Sequence, residues 1–187
     1  MKKQLLILTV LFFLASVSLH AQDANTGAIF KKFKVDVSLG YASPQVSGPG
    51  TKAGALFAIE PKYAVMNDLS VGIRMEAAVM ANVSQNGSSG NAKANFSYLA
   101  TGDYYFSDKR FRPFLGAGAG IYTFASVNLD SSISGINSIP VSSKFGFMAR
   151  GGFEYGHLRL GVEYNFVGDK MGYLGLKIGV VIGGGRK

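Results

Sequence analysis

Few side chains in this sequence are suited to acid, base or nucleophilic chemistry, and their placement is unusual. Of the two histidines, His20 lies in an apolar N-terminal run and His157 sits in the pair Gly156-His157, between two strand-like segments. A hydrolytic triad or a carboxylate-activated imidazole needs the ring held beside a nucleophile or an acid. Near His157 the sequence offers only Glu154 and Arg159, so the histidine reads as a surface turn residue. Cysteine is absent, which removes thiol chemistry and disulfides. One histidine plus carboxylates is also a poor donor set for a transition metal. The sequence therefore predicts no catalytic residue, no metal site and no cofactor.

Six carboxylates remain to be placed: Asp36, Glu60, Glu76, Asp103, Glu154 and Glu163. An acid–base pair is one use for them, since two carboxyls in different surroundings can divide those roles. Eight cations, Lys34, Lys62, Arg74, Arg112, Lys144, Arg150, Arg159 and Lys177, stand at the same strand parity. Charges so close to balance predict an ion-pair network filling a narrow interior. The stretch RPFLGAGAGIY, 112 to 122, places Gly116, Gly118 and Gly120 at alternate positions. It lacks the GxGxxG spacing of a phosphate-cradling loop, and no helix-like segment follows. Asn-x-Ser triplets at Asn82, Asn86 and Asn95 lie in Ser- and Asn-rich stretches, where chance supplies them.

These residues are positioned by an alternation of apolar and polar side chains with the period of a strand, repeated over eight segments. In KFKVDVSLGY, 32 to 41, Phe33, Val35, Val37, Leu39 and Tyr41 take one face, and Lys34, Asp36, Ser38 and Gly40 take the other. The remaining segments run over 55–65, 69–80, 94–106, 111–124, 142–155, 158–166 and 173–182. All fourteen charged residues named above fall on the polar parity and none on the apolar one. Ten glycines share the charged parity, among them Gly116, Gly118 and Gly120, against Gly102 and Gly151 on the other. Inside a barrel of eight strands the space is only wide enough for side chains, so long charged groups need small neighbours.

The links alternate too. Brief turns fall around Asn67-Asp68, at 107–110 and at Gly156-His157, while 42–54, 81–93 and 125–141 are longer and rich in Ser, Gly and Asn. Short turns on one side and long loops on the other mark an up-and-down transmembrane barrel. A water-soluble barrel would show the same alternation with the faces exchanged. Three features favour lipid outside: an apolar face without a single charge, aromatics gathered near strand ends, and glycines confined to the crowded side.

The predicted fold class is all-β, an eight-stranded antiparallel up-and-down transmembrane β-barrel. Its divisions are 1–21 signal peptide, 22–31 N-terminal periplasmic segment, 32–182 β-barrel domain and 183–187 C-terminal tail. The leader is read from Lys2 and Lys3, the apolar run Leu5 to Val17, and LHAQ with cleavage after Ala21. Hydrophobic residues make up 48% of the chain, yet after the leader no apolar run reaches the length a membrane helix requires. The formal net charge of +8 is spread over singly placed basic residues in an exported protein, so nucleic acid is not an expected partner.

With the segments in place, YLATGDYYF (98 to 106), RPFLGAGAGIY (112 to 122) and LRLGVEYNF (158 to 166) resemble the recurring strands of small outer-membrane β-barrel proteins of Gram-negative bacteria, the OmpA transmembrane domain and OmpX type. The resemblance covers 32 to 182. It implies location in the outer membrane, with outer-membrane lipid and the barrel assembly machinery as partners. The ending VIGGGRK departs from the terminal aromatic common in that group. The expected role is structural or surface-interacting and non-enzymatic, with any extracellular partner met through loops 42–54, 81–93 and 125–141. A narrow pore for water or small ions is the alternative.

Overall fold

The computed structural model describes residues 30–45, 54–83, 89–130, 141–168 and 171–184. They form eight strands: β1 (Phe33–Pro44), β2 (Gly54–Ala64), β3 (Leu69–Val83), β4 (Ser89–Tyr105), β5 (Phe111–Asp130), β6 (Val141–Tyr155), β7 (Leu158–Val167) and β8 (Tyr173–Gly183). Each pairs antiparallel with the next. β1 also pairs with β8, from Lys34 opposite Gly183 to Pro44 opposite Tyr173, so the sheet closes into a barrel. Closure gives edge backbone groups a partner, a requirement in hydrocarbon, where no water replaces a missing hydrogen bond.

The wall follows the parity read from the sequence. Leu39, Tyr41, Ile73, Tyr98, Phe145 and Ile178 point outward and are more than half exposed, whereas Lys34, Asp36, Glu60, Lys62, Arg74 and Asp103 are each 4% exposed or less. This is the reverse of a water-soluble protein and suits a barrel whose solvent is lipid. Outward aromatics lie toward the strand ends, with Phe33, Tyr63, Phe106, Phe111 and Tyr155 near the short turns.

The short turns have local causes. Gly156 adopts φ 61° in the two-residue β6–β7 turn, a conformation a side chain rarely tolerates. In the β2–β3 turn, the Val65 and Met66 amides both donate to the Leu69 carbonyl, at 2.9 and 3.1 Å. Pro61 lies within β2, opposite Val35 of β1. On the β3 side the paired register skips from Ile59–Met75 to Lys62–Gly72, which accommodates the missing amide hydrogen.

The structure departs from the sequence reading at the long connections. β3 and β4 remain paired as far as Val83 opposite Gly90, and β4 and β5 as far as Ser89 opposite Asp130. Much of 81–93 and the first part of 125–141 is therefore strand, not loop. The residues of 81–93 and 125–130 lack the sustained apolar–polar alternation that reveals a strand, although the backbone ladder continues through them. The leader, residues 22–29, the loop portions 46–53, 84–88 and 131–140, and tail residues 185–187 lie outside the described residues.

Candidate functional site

The lumen holds the chemistry, and its charged side chains gather into two groups. Nearer the short turns, Arg150 grips Glu60 with two parallel hydrogen bonds of 2.6 Å and reaches Asp103 through Nε at 2.7 Å. Lys62 lies 2.8 Å from the other Asp103 oxygen and 3.6 Å from both Asp36 and Glu60. Arg159 bridges Asp103 at 2.8 Å, Asp36 at 3.0 Å and Glu154, while its guanidinium lies 3.6 Å from the Phe114 ring centroid. Lys34 completes the group on Glu154 at 2.9 Å. Four cations thus meet four carboxylates.

The second group lies higher, toward the long loops. Arg74 holds Glu163 by a fork of hydrogen bonds at 2.6 and 2.5 Å and also contacts Glu76. Lys177 joins Glu163 at 2.5 Å and lies 3.9 Å from Glu76. Tyr173 donates to Glu76 at 2.6 Å, and the Asn165 amide donates to Glu163 at 3.3 Å. Two cations meet two carboxylates here. Planar forks of this kind are the strongest form of the arginine–carboxylate contact and fix geometry as well as charge.

Around the upper group the lumen is also filled by apolar side chains, interleaved with the buried polar residues Asn95 and Ser97. Ala42, Leu56, Ala78, Met80, Leu99, Tyr122, Met148 and Tyr173 form a buried cluster, with Phe124 and Met171 packed against it. Between the charged groups a void of about 10 Å³ is bordered by Asp36, Arg150, Arg159, Glu163 and Lys177. That is at the lower limit for one water molecule.

Twelve of the fourteen charged residues expected in the lumen fall in these two groups. Arg112 does not: it lies at the short-turn rim and donates to the carbonyls of Ser107 (3.2 Å) and Asn67 (2.9 Å). Lys144 stands higher in the lumen, cross-strand from Tyr122 and outside both groups. The glycine row packs closely against neighbouring strands. A Cβ at Gly116 would collide with the Asp103 carboxylate, and one at Gly120 with the Tyr98 carbonyl, while Gly118 has Met148 and Thr101 side chains at 3.0 Å. The Nδ1 of His157 hydrogen-bonds the Val181 carbonyl at 2.8 Å; since a carbonyl only accepts, that nitrogen carries the proton.

Several side chains join these groups that the sequence reading did not name among the site residues. Tyr105 is 1% exposed; its hydroxyl donates to Glu154 at 2.6 Å and accepts from Lys34 at 2.8 Å and Arg159 at 2.9 Å. Thr101 donates to Glu60 at 2.5 Å, and Tyr122 donates to Asn165 at 2.7 Å. The available signal was parity: Leu56, Leu99, Tyr105, Met148 and Tyr173 are apolar or aromatic residues at polar-parity positions, which marks them as lumen filling.

Comparison with known proteins agrees with this architecture. The family model for the outer membrane protein beta-barrel domain matches residues 9–181. No curated protein matches the sequence. Among solved structures, Neisserial surface protein A (NspA) is similar with a TM-score of 0.61 at 20% identity, over 82% of this chain and 98% of that one. Ail, the attachment invasion locus protein of Yersinia pestis, solved in complex with the heparin analogue sucrose octasulfate, is similar with a TM-score of 0.52 at 18% identity, over 81% of this chain and all (100%) of that one. At such identities the likeness is one of fold. The family match spans most of the length and the strands close as that family requires: this chain belongs to the outer membrane protein beta-barrel domain family, proteins of the Gram-negative outer membrane.

Proposed function

We propose that this protein is a non-enzymatic outer-membrane scaffold with a plugged lumen, whose role is structural or lies in contacts made at the cell surface. One observation carries the reading. Two groups of ion pairs, each with equal numbers of cations and carboxylates, fill the lumen together with a buried apolar cluster, and the void between them is about the size of one water. A conducting channel needs a continuous wet path, and side chains so matched in charge occupy that path. His157 supports the non-enzymatic part, because its ring is engaged with a backbone carbonyl and forms no hydrogen-bonded pair with a nucleophile among the described residues.

The surface role draws support from the kind of protein the fold resembles, a Neisserial surface protein and an attachment protein. The long connections here carry few charges, Lys52, Lys93 and Asp130, so a polyanion such as a heparin analogue is not the ligand this chain suggests. Single-channel recording in a planar bilayer tests the plugged lumen. Closed traces with at most brief, small openings are expected; a steady conductance of the size water-filled porins give overturns the reading in favour of a pore.

A further inference from the structure

The short-turn end of the barrel is built differently from the sealed layers above it. A cavity of about 380 Å³ opens there, lined chiefly by Phe30, Lys34, Lys109, Arg110, Arg112 and His157. In this family the short turns face the periplasm. Glu154 also borders the cavity but is already held by Lys34, Arg159 and Tyr105. Lys109 and Arg110 are exposed and have no carboxylate partner among the described residues. Arg112 spends its hydrogen bonds on two backbone carbonyls, and its guanidinium lies between the rings of Phe30 and Tyr105, 4.0 and 4.2 Å from their centroids. None of those contacts cancels its charge. Asp108, exposed in the same turn, is the one carboxylate set against Lys109, Arg110 and Arg112 within that turn and its flanks.

A second observation indicates which anion belongs there. Arg110 reaches two ways: it lines the cavity, and its guanidinium carbon stands 5.1 Å from the ring centroid of Tyr155, an outward-facing side chain that is half exposed. Lys32 makes the same kind of contact with Tyr63, at 5.9 Å. Aromatic residues at this height mark the level of lipid headgroups. The basic cavity therefore sits where the mouth of the lumen meets the headgroup layer. Phe111 and Tyr155, each half exposed, offer an apolar outer wall directly beside it.

We propose that this mouth is a binding site for the phosphate of a periplasmic-leaflet phospholipid. Arg110 and Lys109 contact the phosphate, Arg112 supplies the fixed positive charge behind them, and the acyl chains lie along Phe111 and Tyr155. The site does not depend on whether the lumen conducts, so its test is separate from the conductance measurement. The barrel, refolded in neutral detergent, is offered phosphatidylglycerol and examined by native mass spectrometry. One retained lipid per barrel is expected. A Lys109→Ala/Arg110→Ala variant is expected to bind roughly thirtyfold more weakly, and Lys52→Ala, in the sequence between β1 and β2, as tightly as the parent. Should the double variant fail to refold, Arg110→Gln alone carries the comparison, with a loss of roughly fivefold. Inorganic phosphate, added in millimolar excess without lipid and followed by phosphorus NMR, is expected not to bind. Equal lipid retention in parent and variant overturns the site, and saturable binding of inorganic phosphate that needs Arg110 reassigns it to free phosphate.

Discussion

Tyr105 shows how much one hydroxyl can organise. It touches Lys34, Arg159 and Glu154 at once, yet both cations are also paired with Glu154 directly. Tyr105→Phe should therefore cost only about 1 to 2 kcal/mol, one well-placed hydrogen-bonding group. Arg74→Ala should cost more, about 3 to 5 kcal/mol, because it leaves Glu163 and Glu76 buried with Lys177 as the remaining cation of their group. Urea unfolding from lipid vesicles gives both values. A double-mutant cycle with Glu163→Ala should show strong coupling, the pair together costing less than the sum of the singles. The charged members of the lumen were legible because each one broke an otherwise apolar strand at the right parity. Tyr105 was not singled out, because between Tyr104 and Phe106 its side-chain type resembles its outward neighbours, and only its parity with Thr101 and Asp103 sets it apart.

At the scale of the strand, adjacent residues of β8 face different media. Ile178 is 54% exposed on the outer wall, whereas the Lys177 side chain is 11% exposed and paired with Glu163. Ile178→Arg places a cation in hydrocarbon and should cost roughly 2 to 4 kcal/mol in reversible unfolding from vesicles. Lys177→Arg keeps the charge inside and should cost less than about 1 kcal/mol of that kind, with any excess due to crowding of the bulkier head. Spin labels provide the matching readout: one at 178 should meet a lipid-soluble quencher and one at 177 should not. Equal costs with reversed accessibility would contradict the orientation of the wall. Strand identity was readable wherever apolar and polar residues alternate, and the ends of β3, β4 and β5 were not, since the Ser-, Gly- and Asn-rich sequence of 81–93 and the residues of 125–130 carry no such period.

For the whole molecule, closure could be anticipated from an even number of alternating segments, but the layering of the lumen could not. Lys34 and Glu154 meet across the interior although 120 residues separate them, and Arg150 and Glu60 are 90 apart. Which charges become partners depends on strand tilt and stagger, geometry that a pattern of period two does not encode. The same geometry sets the response to salt. The Debye length falls to about 3 Å in 1 M salt, which weakens ion pairs at a water surface while buried ones are screened far less. The unfolding midpoint in neutral-lipid vesicles should therefore change little between low and molar sodium chloride. A large loss with salt would mean that the ion pairs are open to bulk water.

The seam between β1 and β8 also orders events in time. The lower group needs Lys34 and Asp36 from β1, and the upper one needs Tyr173 and Lys177 from β8. The lower group stays incomplete without the first strand and the upper one without the last, so a growing sheet carries a charged face with part of its partners missing. Hydrocarbon cannot shelter that face. The sheet must therefore curl with that face turned inward as it enters the membrane, which makes the joining of β1 to β8 the late and decisive moment of insertion.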